Sequence, residues 1–155
     1  ASFVAAAVEE LKACGDGGGR ISGYPLTKLR VSILGGQMSP EHSNEMAFRI
    51  AANEAFHRGL EQAGPVLLEP IMKLDILTPE TYLGDFLGDL QQRRALIVRT
   101  EHRDGLTAIE AHAPLHELFG YASAMRSLSQ GRASCSMEPL TYAPVPPNTL
   151  KRIMG

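Results

Sequence analysis

The chain has 155 residues, 44% of them hydrophobic and 21% charged, with a formal net charge of −2. That is the make-up of a folded globular protein of one ordinary domain or two small ones, and the charge argues against a dedicated nucleic-acid coat while leaving room for a local basic patch. No apolar run approaches the roughly 18 residues of a membrane span, and Cys14 and Cys135 lie far apart without partner spacing, against a disulfide framework or zinc site; a cytoplasmic protein with no membrane partner is expected.

The first element is an amphipathic helix in "SFVAAAVEELKAC", with Phe3, Val4, Ala7, Val8 and Leu11 at helical spacing. Such a stripe needs neighbours, and residues 1–69 supply few. The chain therefore reads as a piece of a longer polypeptide, with Phe3, Val4 and Val8 on a partly disordered or partner-covered surface. The loop "GDGGGRISG" (15–23) follows a helix rather than a strand and lacks the Lys-Ser/Thr pair of a phosphate loop, so it reads as a connector. In "LTKLRVSIL" (26–34) Leu29, Val31 and Ile33 alternate with Lys28, Arg30 and Ser32, the period of a strand with one wet face. "GGQMSPEHS" (35–43) is a turn-rich loop. A long helix follows over about Asn44 to Ala63, with Ala47/Phe48, Ala51/Ala52, Ala55/Phe56 and Gly59/Leu60 as one apolar stripe. Its start is ambiguous, since Ser39-Pro40-Glu41 also has the form of a cap, first-turn proline and acid. Gly64-Pro65 stops it. "VLLEP" (66–70) reads as a short strand running into Pro70, which places a domain boundary between 1–69 and 70–155.

The second part repeats one plan. "IMKLDILTPETYLGDFLGDLQQRR" is a strand, then a helix opened by Thr78-Pro79 with a stripe of Leu83, Phe86/Leu87 and Leu90. About 35 residues on, "TAIEAHAPLHELFGYASAMRSLSQGR" is a strand, Pro114, and a stripe of Leu115, Leu118/Phe119, Ala122 and Met125. A strand follows each copy, in "ALIVRTEH" (95–102) and "ASCSMEPL" (133–140), and Asp104-Gly105 suits the hairpin between them. The fold class expected is α+β: a ferredoxin-like β-α-β-β-α-β domain with both helices on one face of four antiparallel strands, preceded by a partial α/β domain. One terminal helical turn is expected from Asn148.

No constellation for catalysis stands out. Pro114 breaks any helix joining His112 and His116, which removes the i, i+4 geometry of paired metal ligands. Asp85, Asp89 and Arg93, at successive fours, read first as surface pairing. The arginines are more informative. Arg93 and Arg94 end the first helix of the repeat, and Arg126, Gln130 and Arg132 cluster at the end of the second. Two readings stay open. Cations near a helix C-terminus gain about 0.3–1 kcal/mol from its dipole, with Gly131 a fitting cap. Alternatively, if the two helices run parallel and end at one edge, four guanidinium forks form a phosphate-binding patch. Gly84, Gly88 and Gly120 point the same way, since each costs about 1 kcal/mol inside a helix unless another surface approaches closely.

Three stretches carry a family resemblance: "AGPVLLEPIMKLDILTPETYLGDFLGDLQQRR", "PLHELFGYASAMRSLSQGRAS" and the later "PVPPN", with "NEMAFRIAANEAF" the most specific piece of the first part. Together they resemble the C-terminal part of bacterial elongation factor G, over essentially the whole chain. The resemblance implies that 1–69 is the later part of the fourth domain and 70–155 the complete, ferredoxin-like fifth domain. It further implies a ribosome-binding part of a factor that drives tRNA–mRNA translocation. Ribosomal RNA and proteins near the GTPase-associated centre, and the tRNA–mRNA in the A site, would then be its partners, and a monomer is expected. GTP and Mg²⁺ belong to the resembled full-length factor; this stretch would bind no cofactor or metal and hydrolyse nothing by itself. By position, the ribosomal contacts are Arg93, Arg94, Arg126, Gln130 and Arg132, and the A-site tip loop is Gly35, Gly36, Gln37, Met38 and Ser39.

Two departures stand out. Translocating members usually read Asp-Gly-Ser-Tyr-His at the tip, so Ser39 occupies the position of the tip histidine. The usual glycine after the paired arginines is Ala95. The first departure favours an alternative, a paralogue devoted to ribosome recycling. A small-ligand regulatory module on the ferredoxin-like fold would explain the internal repeat but not the long co-linear motifs. An acylphosphatase-like enzyme lacks its phosphate loop, because Leu77-Thr78-Pro79 follows the first strand.

Overall fold

The computed structural model describes residues 2–18 and 23–154, with side chains described as far as Lys151. The centre of the glycine-rich connector, 19–22, lies outside the described residues. The chain divides into two compact units, Ala1–Pro65 and Val66–Gly155.

The first unit is a pair of helices. In α1 (Ser2–Gly17), Ala6, Ala7 and Cys14 are buried. Helix α2 (Glu45–Ala63) is capped by Asn44, whose Oδ1 accepts from Ala47 N–H at 2.8 Å, and it ends at Gly64 in the left-handed region. The competing start does not propagate: Ser43 N–H donates to Ser39 O (3.0 Å) and Ser39 N–H to Ser43 Oγ (2.9 Å), which closes Ser39–Ser43 into a turn of its own. The helices meet through stacked Phe3 and Phe48 rings, 4.9 Å apart, and a small core of Cys14, Phe56 and Leu60 flanked by Leu11 and Leu26. Arg49–Glu9 (2.6 Å) and Asn53–Glu10 (2.8 Å) add polar ties.

Two expectations are corrected here. The single stripe of α2 splits, with Phe48, Ala52, Phe56 and Leu60 turned inward or partly covered while Ala47, Ala51, Ala55 and Gly59 stay exposed. Those exposed positions line an open groove of about 1350 Å³ with Val4, Ala7 and the segment 29–38. The strand expected over 26–34 forms no ladder and is bent at Lys28 (φ 56°), and the first unit has no second strand among the described residues to pair with it. Its apolar positions Leu29, Val31 and Ile33 remain 44–48% exposed.

The second unit is built around β1 (Leu68–Pro79), followed by a 3₁₀ turn (Glu80–Tyr82), α3 (Leu83–Gln92), β2 (Leu96–Arg103), β3 (Leu106–Pro114), a second 3₁₀ turn (Leu115–Leu118), α4 (Tyr121–Ser129), β4 (Ser134–Pro144) and α5 (Pro147–Met154). The sheet order is β2-β3-β1-β4, every pair antiparallel, which is the split β-α-β arrangement read from the repeat. Along β1, Met72, Leu74, Ile76 and Thr78 turn inward and Asp75 and Leu77 outward, the period-2 pattern of a sheet with one covered face. Met72, Leu74, Ile76, Ile109, Ala111 and Ala113 from the strands meet Phe86, Leu90, Leu118 and Tyr121 in one core. Asp104 (φ 54°) and Gly105 (φ 77°) supply the two left-handed residues of the β2–β3 hairpin.

The division between the units falls four residues before the boundary expected at 69/70. Pro70 does not stop β1, since Leu68–Ile71 pair with Thr141–Pro144 of β4. The β3 ladder begins only at Ile71, so Pro70 sits where β1 has a neighbour on one side and its missing N–H faces no strand. The second helix of the repeat also differs from expectation: it opens as the 3₁₀ turn Leu115–Leu118 and restarts at Tyr121 after Gly120 (φ 72°). Gly120 is therefore a left-handed cap, not an interior helix residue, and of the three glycines expected inside the repeat's helices Gly84 and Gly88 are found there, both facing open space.

Candidate functional site

The strand registers fix where each arginine lies. Helix α3 starts after Pro79 at the hairpin end of the sheet, where Glu80 N–H donates to Gly105 O (3.1 Å). It ends at the opposite end, here called the base, close to Leu96, which pairs with His112. Helix α4 starts at the base and ends at the hairpin end, close to Ser134, which pairs with Leu77 near the end of β1. The two helices are antiparallel, so their C-termini lie at opposite ends of the unit. The expectation of parallel helices ending on one rim is overturned: a β-α-β-β-α-β chain reverses at the hairpin between its halves, and the second helix must run against the first.

At the base, Arg93 and Arg94 are spent on the protein itself. Arg93 Nε donates to Asp89 Oδ2 (2.8 Å) and Nη1 to Glu117 O (2.7 Å), with the guanidinium 5.0 Å from the centroid of the Tyr121 ring. Arg94 pairs with Glu69, which is 5% exposed, and reaches Glu117 Oε1 at 3.5 Å. Its bond to Glu69 pushes the Arg94 guanidinium further up from its already high pKa, so it is a permanent cation. Arg94 also carries the positive φ at this helix end (59°). The position that normally asks for glycine is thus Arg94, and Ala95, in ordinary backbone, sits there without strain.

At the hairpin end the chemistry is the reverse. Arg126, Gln130 and Arg132 are exposed, and neither arginine has an ion-pair partner among the described residues. The backbone beneath them is fully bonded. Gln130 N–H, as the cap, and Gly131 N–H (2.8 Å) both donate to Arg126 O, and Arg132 N–H donates to Ser129 O (3.0 Å). Gln130 (φ 53°) and Gly131 (φ 77°) are consecutive left-handed residues. Beneath them the fully buried Ser129 donates through Oγ–H to Met125 O (2.8 Å) and accepts from Ala133 N–H (3.1 Å). Reading the sequence missed Ser129; the signal was a hydroxyl residue just before a Gln-Gly pair at a helix end, where side-chain bonds to backbone compete with the helix.

The open face of the sheet carries ion pairs instead of free cations. Lys73 lies between Asp75 (3.2 Å) and Glu138 (3.8 Å), and Arg99 between Glu101 (3.1 Å) and Glu110 (3.3 Å). His112 lies 3.9 Å from Glu110, His116 packs edge-on to Phe119, and His102 Nδ1 is 3.0 Å from Thr107 Oγ1. Among the described residues no group of three metal-ligating side chains comes together, and no helix is long and apolar enough to cross a membrane. In the first unit, Gly35, Gly36, Gln37, Met38 and Ser39 are all exposed; Ser39 Oγ is 3.3 Å from His42 Nδ1.

Comparison with known proteins follows the same division. Residues 8–64 match the family described as "Elongation factor G, domain IV" and residues 66–153 the family "Elongation factor G C-terminus". The chain is 48% identical over 136 residues to elongation factor G of Thermotoga maritima and 45% identical over 136 residues to elongation factor G 2 of Desulfotalea psychrophila. Each alignment covers 88% of this chain and 20% of the relative, so the chain spans about a fifth of the length of these curated relatives. A crystal structure of a protein from Thermus thermophilus superposes with a TM-score of 0.80 at 35% identity, over 98% of this chain and 23% of that one. The chain belongs to the elongation factor G family.

Proposed function

We propose that the chain is the ribosome-binding, C-terminal portion of a translational factor and supports GTP-driven movement of tRNA and mRNA in the cytoplasm. In this reading 1–65 is the later part of the fourth domain and 66–155 the fifth. The GTP- and Mg²⁺-dependent step lies in parts of the family's full-length protein to which these residues do not correspond. Arg126, Gln130 and Arg132 meet ribosomal RNA, while Gly35–Ser39 reach the A site. Arg93 and Arg94 leave the contact set and become structural.

One observation carries the placement of the RNA contact: Arg126 and Arg132 are unpaired on a rigid cap, whereas the arginines at the base are already held by Asp89, Glu69 and Glu117. Planar forks free of carboxylates are what phosphate recognition needs. The test is ribosome pelleting across a salt series. Each lost phosphate contact reduces the salt slope by about 0.9 if the contact is to duplex RNA of DNA-like charge density. Charge reversal at Arg126 and Arg132 should weaken and flatten the dependence, and an unchanged isotherm would remove these residues from the interface.

A second reading, a factor devoted to ribosome recycling, is favoured by one observation: the tip carries Gly35-Gly36-Gln37-Met38-Ser39, with a serine where translocating relatives usually place histidine. Comparing the full-length protein in tRNA–mRNA movement and in subunit splitting with recycling factor separates the two.

A further inference from the structure

We propose that Ser129 is a positioning residue for RNA recognition, a buried clip that sets the direction in which Gln130 and Arg132 leave the end of α4. The inference rests on the reading in which that end meets RNA phosphate.

Every amide from Gln130 to Ala133 already has an acceptor: Arg126 O for the first two, Ser129 O for Arg132 and Ser129 Oγ for Ala133. The loop therefore offers an anion no free N–H, unlike a glycine-rich nest. Recognition falls to the side chains, and their aim depends on how firmly the backbone beneath them is held. Three of the four bonds in this frame are backbone to backbone. The fourth runs through the Ser129 hydroxyl, which spends its proton on Met125 O and its lone pair on Ala133 N–H. The chain thus moves directly from a left-handed Gln130–Gly131 pair into β4 at Ser134 with no slack. Gln130 holds a backbone conformation that side-chain-bearing residues rarely adopt, which the surrounding structure must enforce. Ser129 is the side-chain member of that enforcement, and its burial leaves it no role in touching RNA itself.

Ser129→Ala deletes the hydroxyl while preserving helix preference. In the 155-residue chain, amide exchange at Ala133 and Arg132 should rise about tenfold or more, and ribosome association should fall about tenfold with a shallower salt slope. Ser129→Thr should restore both, because a helical threonine can make the same bond to the carbonyl four residues back. If Ser129→Ala does not fold, Ser129→Cys, similar in shape but a much weaker hydrogen-bonding group, takes its place with the same expectation. Faster exchange with undiminished ribosome association overturns the proposal, as does a folded threonine variant that recovers exchange protection but not affinity. Failure of the underlying reading looks different: charge reversal at Arg126 and Arg132 would then leave association intact, whatever happens at Ser129.

Discussion

The arginines at the ends of α3 and α4 occupy equivalent places in a repeated sequence plan and have opposite fates. At the base, Glu69 from the start of β1 and Glu117 from the second 3₁₀ turn close on Arg94, and Asp89 closes on Arg93 from one turn back. At the hairpin end no carboxylate among the described residues approaches Arg126 or Arg132 closely enough to pair, and both remain in solvent. Whether a guanidinium is structural or available is decided by which acidic residues the topology delivers to it. Its place relative to a helix end does not decide it.

The sharpest way to break this comparison is Arg94→Ala. It leaves Glu69 buried and charged without its partner, and should cost the second unit about 3 kcal/mol in urea unfolding, with little change in ribosome association of the folded protein. Combined reversal of Arg126 and Arg132 to glutamate should do the opposite. Stability should move by less than about 0.5 kcal/mol, while association weakens by about one to two decades, the equivalent of roughly 1.4–2.8 kcal/mol. If the base mutation abolished binding without unfolding, or the hairpin-end mutation unfolded the protein, the two ends would have to exchange roles. Arg93→Met should fall between, losing the bonds to Asp89 and Glu117 and the Tyr121 contact for about 1–2 kcal/mol of stability.

The smallest effect belongs to Tyr121 beside Arg93. Its hydroxyl is buried without a partner, and burial is the largest cause of the upward shift of its phenol pKa. A group that holds its proton more tightly when folded stabilises the fold below its unfolded pKa and loses that contribution as pH rises beyond it. Unfolding monitored across the alkaline range should therefore show stability falling above about pH 10. Tyr121→Phe should lessen that slope, the Cys14 and Cys135 thiols, also pushed up by burial, supplying the remainder, and leave neutral-pH stability unchanged or higher by about 1 kcal/mol.

Much of the second unit was legible because its elements announce themselves locally. Alternation in β1, Asp104-Gly105 at the hairpin and the stripe through Phe86 and Leu90 all reappear in the structure as expected. What failed was long-range. Glu69 and Arg94 are 25 residues apart, and nothing in either neighbourhood marks them as partners. The relative direction of α3 and α4 likewise follows from the reversal at the hairpin, which no single window of sequence contains. Pro70 misled because a proline ends a strand only where its missing N–H has a neighbour to disappoint. In the first unit the alternating pattern of 26–34 was read correctly as a pattern, but periodicity does not supply a pairing strand. At the candidate site, clustered arginines and Gly131 were visible, whereas the buried Ser129 beneath them was not, since burial depends on where β4 returns.

The opposed course of α3 and α4 has an electrical consequence. Each helix carries a partial positive charge at its first turn and a partial negative one at its last. Side by side and opposed, the two largely cancel at distances beyond their separation, and the hairpin end receives the positive pole of α3 beside the negative pole of α4. The long-range field at that end is therefore set mainly by the exposed guanidinium groups of Arg126 and Arg132, which salt screens and mutation can erase, and scarcely by the helix poles beneath them.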